Sequence, residues 1–153
     1  MNVDHLLAAA DALANQGRRP RVTDLRRAVS AIYYGLFHAL ALHCANQLIG
    51  VTKHQTPAWR RVYRSLDHGK AKDEFMKGST RTLDPSVAIF ADAFVVLQEA
   101  RHTADYDPAR FPFSRRHVVS LIAQARGAIA GLTALNPDLA AELATIVLFK
   151  NRR

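Results

Sequence analysis

The sequence has few of the residues and motifs on which most enzyme classes depend. Its 153 residues include one cysteine, Cys44, which excludes an internal disulfide and a zinc site built from several cysteines. No glycine-rich phosphate loop, nucleophile elbow, paired-histidine zinc helix or EF-hand loop is present. The seven histidines are scattered without the spacing of metal ligands. We therefore expect neither a metal site nor a cofactor.

Signals for export or membrane insertion are also missing. The N-terminal segment carries Asp4 and no early basic residue, unlike a signal peptide. No uncharged apolar run reaches the length of a membrane-spanning helix. Together with the unpaired cysteine, these features predict a cytoplasmic protein without a membrane partner. The length predicts a single domain over residues 1–153 with a substantial hydrophobic core.

Acidic residues are scarce relative to basic ones. The chain has 21 Lys and Arg against 13 Asp and Glu, a formal net charge of +8. Between Lys53 and Thr82, eight basic residues face only three acidic ones, and a second basic cluster lies between Arg18 and Arg27. Such a charge attracts polyanions, although an ordinary solvated surface is the alternative interpretation.

Convincing strand alternation is absent, and helical periodicity dominates the chain. The predicted helices cover residues 3–14, 24–49, 57–66, 70–76, 85–103 and 115–135, with a last short helix ending at 148–149. Thr23, Asp84 and Ser114 are predicted N-caps, and residues 78–80 are predicted to form a loop. The predicted fold is all-α, an up-and-down bundle of four to five main helices.

The predicted helix 24–49 is apolar or aromatic around nearly all of its circumference, which is typical of the central helix of a bundle. Its third side aligns Arg27, Tyr34 and His38 at spacings of seven and four residues. These side chains could line a polar seam or form a solvated edge. A single histidine such as His38 is more often a hydrogen-bonded packing residue than a ligand.

An arginine continues the apolar stripe of the predicted helix 85–103. Phe90, Phe94 and Leu97 recur on one helix face, and Arg101 follows in the same register. Burying an unpaired guanidinium would be very costly, so Arg101 must have an anionic partner, open onto a cleft or snorkel out of one. An ion pair with Asp105, one turn on, is the simplest alternative.

Two local motifs together resemble the HEPN domains, a superfamily of small α-helical bundles. Residues 27–39, RAVSAIYYGLFHA, resemble the YYA-x-FHA helix of that superfamily. Residues 101–106, RHTADY, match the R-x-x-A-D-Y signature of one bacterial branch. The motifs lie in the expected order at the expected distance, and the resemblance covers roughly residues 24–135.

The resemblance implies a dimerising bundle that often works beside a minimal nucleotidyltransferase. In several branches it implies a metal-independent ribonuclease, which can be the toxin of a toxin–antitoxin pair. Ribonuclease members carry an arginine followed four to six residues later by a histidine. Arg101 matches that arginine, but Tyr106 stands near the place of the histidine and His102 lies directly beside the arginine. His68 could enter the cleft from elsewhere in the chain.

These observations predict an RNA- or nucleotide-binding module, with two alternatives. The predicted binding residues are Arg101, Asp105 and Tyr106, with Tyr34, His38 and Arg27. The first alternative is a metal-independent endoribonuclease with Arg101, Tyr106 and His102 as candidate catalytic residues. Because an unperturbed tyrosine has a pKa of about 10, Tyr106 would be a poor base at neutral pH. The second is a non-catalytic partner of a nucleotidyltransferase, for which the Tyr106 hydroxyl could be an acceptor.

Overall fold

The computed structural model describes residues 1–109 and 111–151. Within those ranges the chain forms eight α-helices, one short 3-10 helix and no strand. The elements are α1 (Val3–Ala14), α2 (Val22–Leu48), the 3-10 helix η1 (Val51–Lys53), α3 (Pro57–Arg64), α4 (His68–Phe75), α5 (Gly78–Arg81), α6 (Pro85–Tyr106), α7 (Arg115–Thr133) and α8 (Pro137–Leu148). The predicted all-α class is confirmed.

Side-chain caps define where most of these helices begin. The Asp84 carboxylate accepts a hydrogen bond from the Ser86 amide at 2.8 Å, and Pro85 occupies the first turn of α6. The Ser114 hydroxyl accepts from the His117 amide at 3.1 Å at the start of α7. Both predicted caps are thus confirmed.

The predicted cap at Thr23 is wrong. Helix α2 begins at Val22, and its N-cap is Arg21, which makes no side-chain capping bond. The Arg21 carbonyl already accepts from the Leu25 amide at 3.1 Å, so Thr23 lies inside the first turn. The negative charge of Asp24 in that turn favours the helix N-terminus without a hydroxyl cap.

Two further boundaries differ from the prediction. Residues 78–80 are not a loop but belong to α5, a single helical turn whose Thr80 is buried. The Thr82 hydroxyl donates to the Gly78 carbonyl at 3.0 Å, which closes that turn. Helix α6 continues to Tyr106 instead of ending near residue 103, so Asp105 and Tyr106 are helical residues. A side chain of α2 donates hydrogen bonds to the last carbonyls of α6.

Helix α2 lies in the centre of the bundle, as predicted. It packs against α1, α3, α6, α7 and α8, and Tyr33, Leu36 and Leu40 have no solvent exposure. Phe90, Phe94 and Leu97 of α6 are equally buried. The apolar stripe that precedes Arg101 therefore faces the core, and it brings the C-terminal end of α6 beside the first half of α2.

By length and composition α2 could also cross a membrane, and α7 and α8 meet the same criterion only as a pair bent by 114°. Most of the apolar stretch of α2 is buried inside the bundle. A central core helix of this kind has the same composition as a spanning helix, so the match is weak evidence for a membrane.

Candidate functional site at the C-terminal end of α6

The Arg101 guanidinium lies among three tyrosine rings. Its central carbon is 5.1 Å from the ring centre of Tyr33 and 5.8 Å from the ring centres of both Tyr34 and Tyr106. Only 14% of the side chain is exposed. Attraction between a cation and an aromatic face is worth about 0.5–2 kcal/mol and increases when the pair is desolvated. The aromatic cage therefore explains how a charged residue can continue an apolar stripe.

The polar contacts of Arg101 are weak by comparison. Its Nη1 lies 3.5 Å from the Tyr34 hydroxyl and 3.5 Å from Oδ2 of Asp105, and its buried Nε has no hydrogen-bond partner among the described residues. The second Asp105 oxygen accepts a hydrogen bond from the Ser30 hydroxyl. Asp105 is therefore held between two helices, and Arg101 keeps unused hydrogen-bonding capacity.

Arg26 fixes the C-terminal end of α6 on α2. Its Nη1 donates to the carbonyls of Thr103, Ala104 and Asp107 at 3.2, 2.8 and 2.8 Å, and its Nη2 donates to Ala109 at 2.8 Å. The last turn of α6 contains no basic residue of its own. A guanidinium from another helix thus satisfies carbonyls that a helix end leaves unpaired. The sequence shows Arg26 only as one arginine in a basic cluster.

An open groove lies between α2 and this helix end. Its lining includes Arg27, Tyr34, Asp105 and Tyr106, four of the six predicted binding residues. Arg27 is exposed and has no ion pair among the described residues. Tyr106 is 64% exposed. Arg101 does not line the groove itself but contacts three side chains that do, those of Tyr34, Asp105 and Tyr106. The groove therefore combines cations with an accessible aromatic ring.

His68, the first residue of α4, reaches the same aromatic cage from a distant part of the chain. Its Nδ1 is hydrogen-bonded to the Tyr33 hydroxyl at 2.5 Å, and its ring stacks on Phe37 with 3.8 Å between ring centres. Burial, and then the charge of Arg101, lower the pKa of His68, while Asp67 acts in the opposite direction. Burial raises the pKa of Tyr33 above its usual value, so its hydroxyl stays protonated.

His38 lies one turn along α2 from Tyr34 and outside the groove lining. Its Nδ1 is hydrogen-bonded to the Tyr63 hydroxyl at 2.7 Å, and its ring centre lies 6.3 Å from that of Tyr34. Burial is the main cause that lowers the pKa of His38. The Tyr34 ring thus lies 6.3 Å from the ring of His38 on α2 and 6.3 Å from the ring of His68 on α4.

His102 does not join Arg101. Because α6 stays helical through Tyr106, His102 points about 100° away from Arg101 around the helix. It is exposed, and its ring packs against Tyr106 with 5.1 Å between ring centres. The structure therefore brings together Arg101, Asp105, Tyr106, Tyr34 and Arg27, places His38 nearby, and leaves His102 on the outer side of the helix.

The other reactive groups of the described residues form neither a metal site nor a nucleophilic site. The described ranges contain no group of three His, Cys, Asp or Glu residues that could hold a metal ion. Cys44 is buried in α2, and burial raises the pKa of its thiol to about 12. A protonated, inaccessible thiol cannot act as a nucleophile at neutral pH.

Comparisons of the chain with protein-family models, with curated proteins and with solved structures found no match. The groove and its residues are therefore what indicates the function of the chain.

Proposed function

We propose that the chain is a HEPN-like, dimeric module that binds RNA or a nucleotide in the groove beside Arg101. The observation that supports this is the state of the Arg101 guanidinium, which three tyrosines surround and whose Nη1 makes its two polar contacts only at 3.5 Å. A phosphate offers short, charge-assisted hydrogen bonds to an arginine, and these would replace the two long contacts.

The neighbouring residues suit the other parts of a nucleotide. The exposed ring of Tyr106 is available for stacking on a base, an interaction worth about 1–3 kcal/mol in single-strand binding. Arg27, free of a carboxylate partner among the described residues, adds a second cation at the groove. Asp105 would repel a phosphate, but its hydrogen bond to Ser30 holds the carboxylate against α2.

The test is RNA binding by three variants, measured by fluorescence anisotropy at two salt concentrations. Arg101→Ala should weaken binding by about tenfold or more, and Arg101→Lys should restore only part of it, since an ammonium lacks the planar fork of donors. Arg126→Ala is the matched control, because Arg126 pairs with Asp11 at 2.9 Å outside the groove. Equal RNA affinity of Arg101→Ala and Arg126→Ala would contradict the proposal.

Dimerisation is part of the same proposal. Val22, at the start of α2, and Tyr106 are large side chains left mostly exposed near the groove. A second copy packed against Val22 would cover that side chain and bring two Arg101 side chains towards each other, with Tyr106 left open to the ligand. Light scattering should give twice the mass of one chain for the parent protein and the mass of a single chain for Val22→Asp. A monomeric parent protein at all concentrations contradicts this part.

A metal-independent endoribonuclease is the second candidate, favoured by His38 and His68. Each has Nδ1 fixed by a tyrosine hydroxyl, which leaves the Nε2 side for proton transfer. One neutral histidine would take the proton of the ribose 2′-hydroxyl as its oxygen attacks the phosphorus. The departing 5′-oxygen would take a proton from solvent water, because the lowered pKa of both histidines keeps them neutral, and a 2′,3′-cyclic phosphate would remain. Arg101 would stabilise the charged phosphorane.

If that candidate is right, the parent protein should cleave RNA in the presence of EDTA. His68→Ala and Arg101→Ala should lose this activity, and His102→Ala should retain it. Intact RNA after long incubation would exclude the endoribonuclease and leave RNA binding without cleavage as the function. A role beside a nucleotidyltransferase is a further possibility of the resemblance, and the exposed Tyr106 hydroxyl is open to a modifying enzyme. Co-purification of such an enzyme, with a nucleotide mass added to Tyr106, is the observation that supports it.

A further inference from the structure

The basic residues between Lys53 and Thr82 divide into two groups. The four that lie later in the chain have structural partners: Lys72 pairs with Glu99, Lys77 with Glu74 and Arg81 with Asp92, while Lys70 donates to the Leu148 carbonyl. The four earlier ones, Lys53, Arg60, Arg61 and Arg64, have no side-chain ion pair or hydrogen bond within the described ranges. The uncompensated charge of this region is therefore concentrated on η1 and α3.

The orientation of α3 keeps its arginines in solvent. Trp59 is buried and its Nε1 donates to Asn46 of α2 at 2.9 Å, which fixes one side of α3 on the bundle. Arg60, Arg61 and Arg64 are all exposed, and we call them the α3 arginine face. Helix α3 has no acidic residue. The next one in the chain, Asp67, is engaged as the N-cap of α4, where it accepts from the Lys70 amide at 2.8 Å.

A row of aromatic contacts joins this face to the Arg101 site. The rings of Tyr34 and His38 are 6.3 Å apart, those of His38 and Tyr63 stack at 5.8 Å, and those of Tyr63 and Trp59 stack at 5.1 Å. Tyr63 lines a groove together with Arg60 and Arg64. A row of rings thus runs from the end of α6 to α3 with cations at both ends, and its partly exposed members Tyr34, His38 and Tyr63 suit the bases of a single strand.

We infer that the α3 arginine face is a second phosphate-binding subsite for the RNA strand that binds at Arg101. The inference rests on the proposed function and narrows its ligand to a single-stranded oligoribonucleotide of about four or more nucleotides. The strand follows α2, with phosphates at Arg101 and at the α3 arginine face and with bases against Tyr34 and Tyr63. A mononucleotide occupies only the Arg101 end.

The experiment compares labelled oligouridylates of two and twelve nucleotides by fluorescence anisotropy. The parent protein should bind the longer strand at least about tenfold more tightly. The double variant Arg60→Ala/Arg64→Ala should lose that advantage and still bind the dinucleotide. Loss of two phosphate contacts should also reduce the salt slope by about 1.4, at about 0.7 per contact in single strands. The exposed arginines can be replaced without disturbing the core.

The matched control is Lys72→Ala/Lys77→Ala, which removes the same charge from the same region but replaces lysines that already have partners. If both double variants bind the longer strand alike, or if length makes no difference, the second subsite is overturned while binding at Arg101 stands. If the parent protein binds neither strand, both the second subsite and the proposed function are overturned. A further competitor is polyglutamate, which should displace the labelled RNA less effectively than unlabelled RNA does. Equal displacement would identify a surface for acidic proteins instead and would overturn the inference.

Discussion

Tyr33 connects Arg101 to His68. The Arg101 guanidinium lies over one face of the Tyr33 ring, and the Tyr33 hydroxyl is hydrogen-bonded to Nδ1 of His68 at 2.5 Å. The ring has no solvent exposure, so it cannot turn away without disturbing the core. A single buried residue of α2 therefore positions a cation from α6 and a histidine from α4.

Removing the Tyr33 hydroxyl should cost stability without opening the core. Tyr33→Phe keeps the ring under Arg101 but leaves Nδ1 of His68 without its partner, at a cost of about 1 kcal/mol. The thermal midpoint should fall by about 2–4 °C. Tyr34→Phe is the control, because its hydroxyl makes only a 3.5 Å contact with Arg101. Equal midpoints for the two variants would mean that the hydrogen bond to His68 contributes nothing.

Arg26 should be essential for the last turn of α6. Arg26→Ala leaves the carbonyls of Thr103, Ala104 and Asp107 without their donor, at a cost of about 1–3 kcal/mol. Amide exchange at the end of α6 should become faster while exchange in the core stays slow. The neighbour Arg27, exposed and free of an ion pair among the described residues, provides the control, and Arg27→Ala should change stability by less than about 0.5 kcal/mol.

A close approach between α1 and α2 should make Gly35 intolerant of a methyl group. A Cβ added at Gly35 would lie 3.0 Å from Cδ2 of the buried Leu7, which has little room to move. Gly35→Ala should therefore destabilise the protein by about 1–3 kcal/mol despite the better helix propensity of alanine. The urea midpoint measures the change.

Gly127 of α7 is the matched position, since nothing lies within 4 Å of an added Cβ there. Gly127→Ala should stabilise the protein by about 0.5–1 kcal/mol. Opposite signs for the two substitutions are expected, and stabilisation by both would show that Leu7 can move aside.

Helical periodicity is sufficient to predict the core of the fold. Phe90, Phe94 and Leu97 repeat with the helical period and are buried, and the same period places Arg101 at the edge of the core. Asp84 and Ser114 are recognisable as caps because an N-cap depends only on neighbouring residues. Local physics is enough for these two caps, but it fails at Thr23 and at residues 78–80, where the helices begin without a side-chain cap.

The contacts of the site depend instead on how distant elements pack. His68 is 35 residues from its partner Tyr33, and Arg26 is 77 to 83 residues from the carbonyls it binds. No local pattern distinguishes Arg26, which has structural partners, from Arg27, which lines the groove. The same holds for Arg64 and Lys72, whose difference in charge pairing appears only when α4 is packed on α6.

Acidification should weaken the fold through partly buried histidines. Burial lowers the pKa of His43, although a hydrogen bond from its Nε2 to the Ala140 carbonyl at 2.9 Å opposes the shift. Burial likewise lowers the pKa of His38 and His68. The unfolded chain then binds more protons than the folded one. The free energy of unfolding should therefore have its full value above about pH 6.5 and should fall as the pH drops below it.

The urea midpoint between pH 7.5 and 5.5 measures this effect, and His43→Gln should make the decrease shallower. A glutamine amide can still donate to the Ala140 carbonyl but takes up no proton, so the variant separates titration from packing. His102→Gln, at an exposed position of α6, serves as the control and should follow the parent curve. A parent midpoint that stays constant over this range would mean that the folded protein accommodates the charged histidines without cost.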